Sequence, residues 1–250
     1  MNLLRSLLFL VTAVVWTAPF GLLVTLSIIL PMPMRFAIVT IWRRVFMLIV
    51  RVVLGIRYEV VGREHIPDAP AVILSKHQSA WETVALQEVF APHRLLFVLK
   101  KELLKLPFLG WAFVALRMIS IDRQAGLDAL AQVVQQGRER LQSGYWVVVF
   151  PEGTRVAPGQ KRRFKIGGAH LAVHTGTRVI PVAHNAGEVW PRNALVKRPG
   201  LVTVSIGPPI DPEGMSESML NAKVEAWIEA EMRRLSPHRY PEASHPAPAS

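Results

Sequence analysis

A histidine and a carboxylate stand five residues apart in Lys76-His77-Gln78-Ser79-Ala80-Trp81-Glu82, directly after the apolar run Ala71–Ser75. Imidazole changes protonation near neutral pH, which suits it to take a proton from a reacting hydroxyl. A carboxylate five residues on can hold the ring in one tautomer and stabilise its cation. Glu82 has a second reading, because Ser79-Ala80-Trp81-Glu82 is also a capping box that would open a helix. Another apolar run, Trp146–Phe150, is followed by Pro151-Glu152-Gly153-Thr154-Arg155. Gly153 permits a tight turn or a close substrate approach, and the planar fork of Arg155 fits a phosphate. Lys100-Lys101-Glu102 follows the run Leu95–Leu99, and His184-Asn185 follows Arg178–Ala183, which contains Pro181. One imidazole, one carboxylate, several cations and a glycine turn fit general-base attack on an acyl group with a phosphate held nearby.

Such groups meet only if the elements carrying them are aligned. Runs of strand length occur at Tyr58–Val61, Ala71–Ser75, Leu95–Leu99, Met118–Ile121, Trp146–Phe150, Arg178–Ala183 and Leu201–Ile206. A helix is expected from Gln124 to Ser143. There Leu127, Leu130, Val134 and Leu141 keep helical spacing and Gly144 fits a C-terminal cap. A last helix is expected from Ser216 to Leu235. This alternation predicts an α/β fold with a mixed, largely parallel sheet flanked by helices. If the strands are parallel, the polar loops after four of them share one rim.

The chain has 250 residues, of which 51% are apolar and 19% charged, with no cysteine. Disulfides, thiolate metal sites and a cysteine nucleophile are thereby excluded. The net charge of +11 favours anionic partners, and the apolar composition favours membrane phospholipids over nucleic acid. No charge interrupts the chain between Arg5 and Arg35. The 25 residues from Ser6 to Leu30 would form a helix about 37 Å long, enough to cross roughly 30 Å of hydrocarbon. Pro19 and Gly21 suggest either a kinked span or a hairpin dipping into one leaflet. The run is too long for the core of a cleaved signal peptide. Phe36–Ile56, broken by Arg43, Arg44 and Arg51, reads as an interfacial helix with its arginines at phosphate level. The arginine bias puts the remaining chain on the cytoplasmic face, of the inner membrane if the cell is bacterial. The expected organisation is an anchor and interfacial helix over 1–56, a catalytic domain over 57–235, and a Pro-rich disordered tail over 236–250.

Other residues carry weaker signals. Ser79 lies outside any Gly-x-Ser-x-Gly elbow and is not expected to be a nucleophile. His170 and His174 share a helix face but have no third ligand nearby in sequence, so no metal site is expected. Lys161-Arg162-Arg163 reads as a solvated or headgroup-facing run.

In order and spacing, His77 with Glu82, Phe150-Pro151-Glu152-Gly153-Thr154-Arg155 and Val179-Ile180-Pro181-Val182 resemble the motifs of the 1-acyl-sn-glycerol-3-phosphate acyltransferases. Lys100 to Gly110 looks like their second motif, and Phe164-Lys165 with Gly168-Ala169 like the segment after their third. The resemblance spans roughly residues 55 to 210. The family's first motif is usually His-x4-Asp, whereas this chain has His-x4-Glu. The resemblance implies a glycerolipid acyltransferase-like fold, a general base at His77 oriented by Glu82, and a phosphate-binding Arg155. It implies substrate contacts from Glu152, Gly153, Thr154, Lys100, Lys101, Lys165 and Pro181, with the choice among the lysines left open. The implied reaction moves a fatty acyl group from acyl-CoA or acyl carrier protein to the 2-hydroxyl of lysophosphatidic acid, with no cofactor. Two other readings stand beside it: acylation of another lysophospholipid or lipid amine, and a non-catalytic phospholipid-binding membrane protein.

Overall fold

The structure, a computed structural model, describes residues 1–122 and 124–240. Two long apolar helices come first, α1 (Asn2–Leu26) and α2 (Met32–Ile49), the latter extended by a π-helical turn at Val50–Leu54. There follow β1 (Ile56–Val61), β2 (Val72–Ser75), α3 (Trp81–Val89), β3 (Leu95–Lys100), α4 (Leu109–Ala115) and β4 (Ile119–Ile121). The chain continues with α5 (Leu127–Gln142), β5 (Trp146–Val149), α6 (Gly167–Thr175), β6 (Val179–His184), β7 (Gly200–Ile206) and α7 (Glu217–Leu235). All seven expected strands are present, with ends shifted by a residue or two.

The strands form one sheet in the order β1-β7-β6-β2-β5-β3-β4. Every neighbouring pair is parallel except β6 with β7. The central strands β2 (Val-Ile-Leu-Ser) and β5 (Trp-Val-Val-Val) are buried at every position. An unbroken apolar run of this kind marks a parallel strand covered on both faces. One face packs under α1, α2, α3 and α4, the other under α5, α6 and α7. Because β2, β3, β5 and β6 run the same way, the loops after them do meet at one rim.

Helix α5 ends as expected, with Gly144 in the left-handed region (φ +82°) just past its last turn. Its first apolar position, Leu127, has a side chain outside the described set. Ser216 caps α7 by accepting from the Met219 N–H.

Three expectations about the chain ends change. Helix α1 runs unbroken through Pro19 and does not stand free. It pairs with α2, where Trp16 Nε1 donates to the Trp42 carbonyl (3.1 Å) and Trp42 Nε1 to Thr17 Oγ1 (3.2 Å). It also lies on the domain: Ser6 Oγ accepts from the Lys197 N–H, and Phe9 meets Trp190 edge-on at 5.0 Å. Arg43 is not at a lipid surface. It is buried between α2 and α3, with Nε 2.6 Å from Glu88 Oε2 and Nη1 donating to the Gln87 carbonyl. An arginine in an apolar helix satisfies its charge wherever a carboxylate is offered, and Glu88 offers one inside. Arg44 and Arg51 are exposed. Finally, residues 236–240 are ordered rather than disordered, because Tyr240 is buried and its hydroxyl accepts from Gln78 Nε2 (3.3 Å). The remainder of that expected tail, 241–250, lies outside the described residues.

Candidate active site

The β2 chain leaves the sheet at Ser75 and turns into α3 through the loop carrying His77. Ser79 Oγ accepts from the Trp81 N–H at 3.1 Å, which starts the helix. Glu82, in the first turn, folds back beneath that loop. Its Oε1 accepts the Gln78 N–H (3.0 Å), the Ser79 N–H (2.8 Å) and His77 Nδ1 (2.7 Å). The N-cap falls at Ala80, one residue after the Ser79 that a capping box would use, yet the Glu82 half of that box is made, and the same oxygen holds the loop N–H groups and the ring. With Nδ1–H donated to Glu82, Nε2 of His77 is left with a free lone pair. Burial alone would raise the carboxyl of Glu82. The His77 hydrogen bond, the nearby His184 and His77 rings and the Ser79 N–H outweigh it, holding that carboxyl below its ordinary range. The His77 ring stacks on Phe150, 4.0 Å away at 15°, and its side chain stays 15% exposed, enough to meet a substrate.

A buried polar group holds the backbone of this loop. Glu152 Oε2 accepts the His77 N–H at 2.7 Å, and Oε1 lies 2.7 Å from Lys76 Nζ. Lys76 also meets Glu229 Oε1 of α7 at 3.1 Å. Burial disfavours its ammonium, but Glu152 and Glu229 overcome this and its pKa rises. Burial dominates at Glu152, whose carboxyl is raised despite Lys76. Beside them His184 donates from Nε2 to the Lys76 carbonyl (2.8 Å) and accepts the Ala186 N–H at Nδ1. That fully buried ring is pushed below its ordinary pKa by burial and so stays neutral. The His77 carbonyl accepts the Val156 N–H (2.8 Å), which stitches the β2 loop to the β5 loop.

His77 opens onto a cavity of about 1140 Å³. Its long arm is apolar, walled by Phe9, Ala13, Phe20 and Val24 of α1, Val39 and Phe46 of α2, and Ala112, Phe113 and Leu116 at α4. Its mouth is cationic, with Lys100, Arg155, Arg162, Lys165 and Arg192. No carboxylate lines it among the described residues. Gly153 sits at that mouth in the left-handed region (φ +69°), and a Cβ there would come within 3.0 Å of Lys165 Cε. The turn needs glycine both for its backbone angle and to let Lys165 lie across it.

Of the residues singled out in sequence, His77, Gly153, Thr154, Arg155, Lys100 and Lys165 line this cavity, and Glu82 lies beneath His77. Three do not reach it. Glu152 points into the interior, where Lys76 and the His77 N–H take both its oxygens. Pro181 is a buried residue of β6, with its carbonyl accepting from the Gly207 N–H. Lys101 begins the exposed turn Lys101–Lys105 and faces solvent. Sequence reasoning missed Arg192 and Asn193, which come from the irregular segment after β6; Arg162, expected to be solvated or headgroup-facing, is exposed and also lines the cavity. Arg192 Nη1 donates to the Arg155 carbonyl at 2.9 Å, so the two arginines approach the mouth together.

Comparison with known proteins identifies the family. A family profile described as Acyltransferase matches residues 57–185. A 1-acyl-sn-glycerol-3-phosphate acyltransferase of Pseudomonas aeruginosa is 48% identical over 225 residues, 88% of this chain and 86% of its own. The 1-acyl-sn-glycerol-3-phosphate acyltransferase alpha of Mus musculus is 33% identical over 176 residues, 69% of this chain and 61% of its own. The crystal structure of the 1-acyl-sn-glycerophosphate (LPA) acyltransferase PlsC from Thermotoga maritima superposes with a TM-score of 0.77 at 27% identity, covering 94% of this chain and 96% of that one. By sequence identity over most of its length and by fold, the chain belongs to the 1-acyl-sn-glycerol-3-phosphate acyltransferase family.

Proposed function

We propose that the protein acylates the 2-hydroxyl of lysophosphatidic acid to give phosphatidic acid, drawing the acyl group from acyl-CoA or acyl carrier protein. The observation that carries this is the His77–Glu82 pair, 2.7 Å apart, at the junction of an apolar cavity and a cationic mouth. The acyl chain of the thioester occupies the apolar arm. The acceptor phosphate meets Arg155, with Lys165 and Arg192 beside it, because guanidinium binds phosphate with a two-pronged fork. The hydroxyl oxygen then attacks the thioester carbonyl while its proton passes to His77 Nε2. Glu82 stabilises the resulting imidazolium. Collapse of the tetrahedral intermediate breaks the C–S bond, and the leaving thiolate takes the proton back. No acyl-enzyme is formed along this path.

The outer face of α1 carries exposed leucines and valines, and the helix is long and apolar enough to cross a membrane. Since its other face packs along the domain, α1 rests in the outer part of one leaflet and need not traverse it. We place the catalytic domain on the cytoplasmic face because the arginines that follow α1, Arg35, Arg43, Arg44 and Arg51, far outnumber the one before its apolar run. Purified protein given a labelled acyl thioester should acylate lysophosphatidic acid in preference to other lysophospholipids and lipid amines. His77→Ala should abolish transfer with the melting temperature retained. Undiminished transfer in that variant would refute the general-base role.

A further inference from the structure

On the sheet face opposite the α1–α4 layer, two histidines and a glutamate converge. His170 and His174 stand one turn apart on α6, and Glu217 opens α7. Glu217 Oε1 is 2.7 Å from His170 Nδ1 and 2.9 Å from His174 Nε2. The three donor atoms all lie within 4.8 Å of one another. In sequence the histidine pair lacks a third ligand because Glu217 is 43 residues beyond His174; the fold supplies it.

We propose that His170, His174 and Glu217 form a zinc-class divalent metal site that clips α6 to α7. Two imidazoles and one carboxylate are the donor set of three-ligand zinc sites, which leave a fourth position for water. With metal–ligand bonds of about 2.0–2.2 Å, tetrahedral ligands stand about 3.4 Å apart. The two histidine–carboxylate separations therefore need to open by less than about 1 Å. The side chain of His174 is 48% exposed and that of Glu217 32%, so an ion enters from solvent without unfolding. The site is also held from outside. Arg138 Nη2 donates to the His174 carbonyl, fixing the end of α6, and Ser216 caps α7 immediately before Glu217. In the bound form each ring offers a lone pair to the ion from the nitrogen that faces Glu217 and carries its single proton on the other nitrogen, a tautomer reached by proton exchange with solvent. Soft-to-borderline ions fit this set, whereas magnesium, which prefers oxygen ligands, does not. The clip joins α6, which begins two residues after Lys165, to α7, which carries the Glu229 partner of Lys76. Its role is to brace the loops of the site from below.

The test uses untagged full-length protein in detergent, stripped with chelator and then titrated with Zn²⁺. Metal retained through gel filtration is measured by elemental analysis, alongside the melting temperature. About one zinc per chain and a melting temperature raised by several degrees are expected, with no rise from Mg²⁺. His174→Ala and Glu217→Gln should each weaken zinc binding at least about tenfold and remove the thermal shift. Because both side chains are partly exposed, the metal-free variants should melt near the metal-free parent. No retained zinc in the parent, or equal retention in both variants, would overturn the proposal and leave the trio as a hydrogen-bonded contact between helices.

Discussion

Replacing Glu82 by glutamine removes one negative charge and little volume at a fully buried position. Oε1 of the carboxylate serves three N–H donors, and an amide oxygen can still accept all three. The cap on Gln78 and Ser79 thus survives, as does the His77 Nδ1 tautomer. What is lost is the charge facing the imidazolium that forms during transfer. By analogy with removal of an orienting carboxylate from a catalytic triad, kcat should fall by about 10²–10⁴. At 1.36 kcal/mol per tenfold, that is about 2.7–5.4 kcal/mol of transition-state stabilisation. The stability effect is smaller and has another origin. Oε2 of Glu82 is buried with no hydrogen-bond partner among the described residues, so an amide nitrogen there would find no acceptor. An orphaned buried donor costs about 1–3 kcal/mol, in part offset because the neutral amide is less costly to bury than a carboxylate. A fall in melting temperature of a few degrees is expected. Initial rates at saturating acceptor and donor, with a thermal melt on the same sample, separate the two effects. A variant that keeps full kcat while melting a few degrees lower would show that Glu82 only caps α3, and the dyad would be wrong.

Arg155→Ala should raise the acceptor KM or lower kcat/KM by about tenfold or more, and Arg155→Lys should recover part of it, because a point charge lacks the fork. Unchanged kinetics against lysophosphatidic acid would transfer the phosphate to Lys165 or Arg192. Glu152→Gln should both destabilise and inactivate, since it breaks a fully buried ion pair with Lys76, a class of change worth about 3–5 kcal/mol. Wild-type stability by chemical denaturation would count against that network. Stability should also fall on acidification. His184 is held neutral in the fold with its pKa depressed, so below about pH 6.5 the unfolded chain binds a proton that the folded one refuses. Glu82, also depressed, adds a loss below about pH 4.5 for the same reason. The raised carboxyl of Glu152 offsets part of this loss, so a melting temperature that rises from pH 7 to pH 5 would contradict the buried neutral His184.

The strands and the rim were legible in the sequence because unbroken apolar runs such as Val72–Leu74 and Trp146–Val149 have few other uses in a chain of this length. His77 and Glu82 were legible because they stand five residues apart, on the loop after β2 and in the first turn of α3, and so short a connection fixes their meeting locally. Arg43 was misread because an arginine among leucines and valines looks the same in sequence whether lipid or Glu88 receives it. His184, Glu229 and Tyr240 could not be assigned for a related reason. Each acts on the His77 loop, directly or through Lys76 or Gln78, from over a hundred residues away, and no periodicity records such a meeting. The residue type of Glu152 pointed to the right place but to the wrong direction, inward instead of toward substrate.

Six of the residues that line the cavity belong to α1: Phe9, Ala13, Thr17, Phe20, Gly21 and Val24. Cutting off the first helix to obtain a soluble enzyme would therefore strip one wall from the cavity and widen its opening to water. Loss of turnover in such a fragment would say nothing about whether lipid attachment is needed for catalysis. The way to separate attachment from turnover is to leave the inward stripe untouched and repaint the outward one. Leu4, Val11, Val15 and Leu26 are exposed, and polar residues there would weaken adhesion to lipid while the cavity kept its wall.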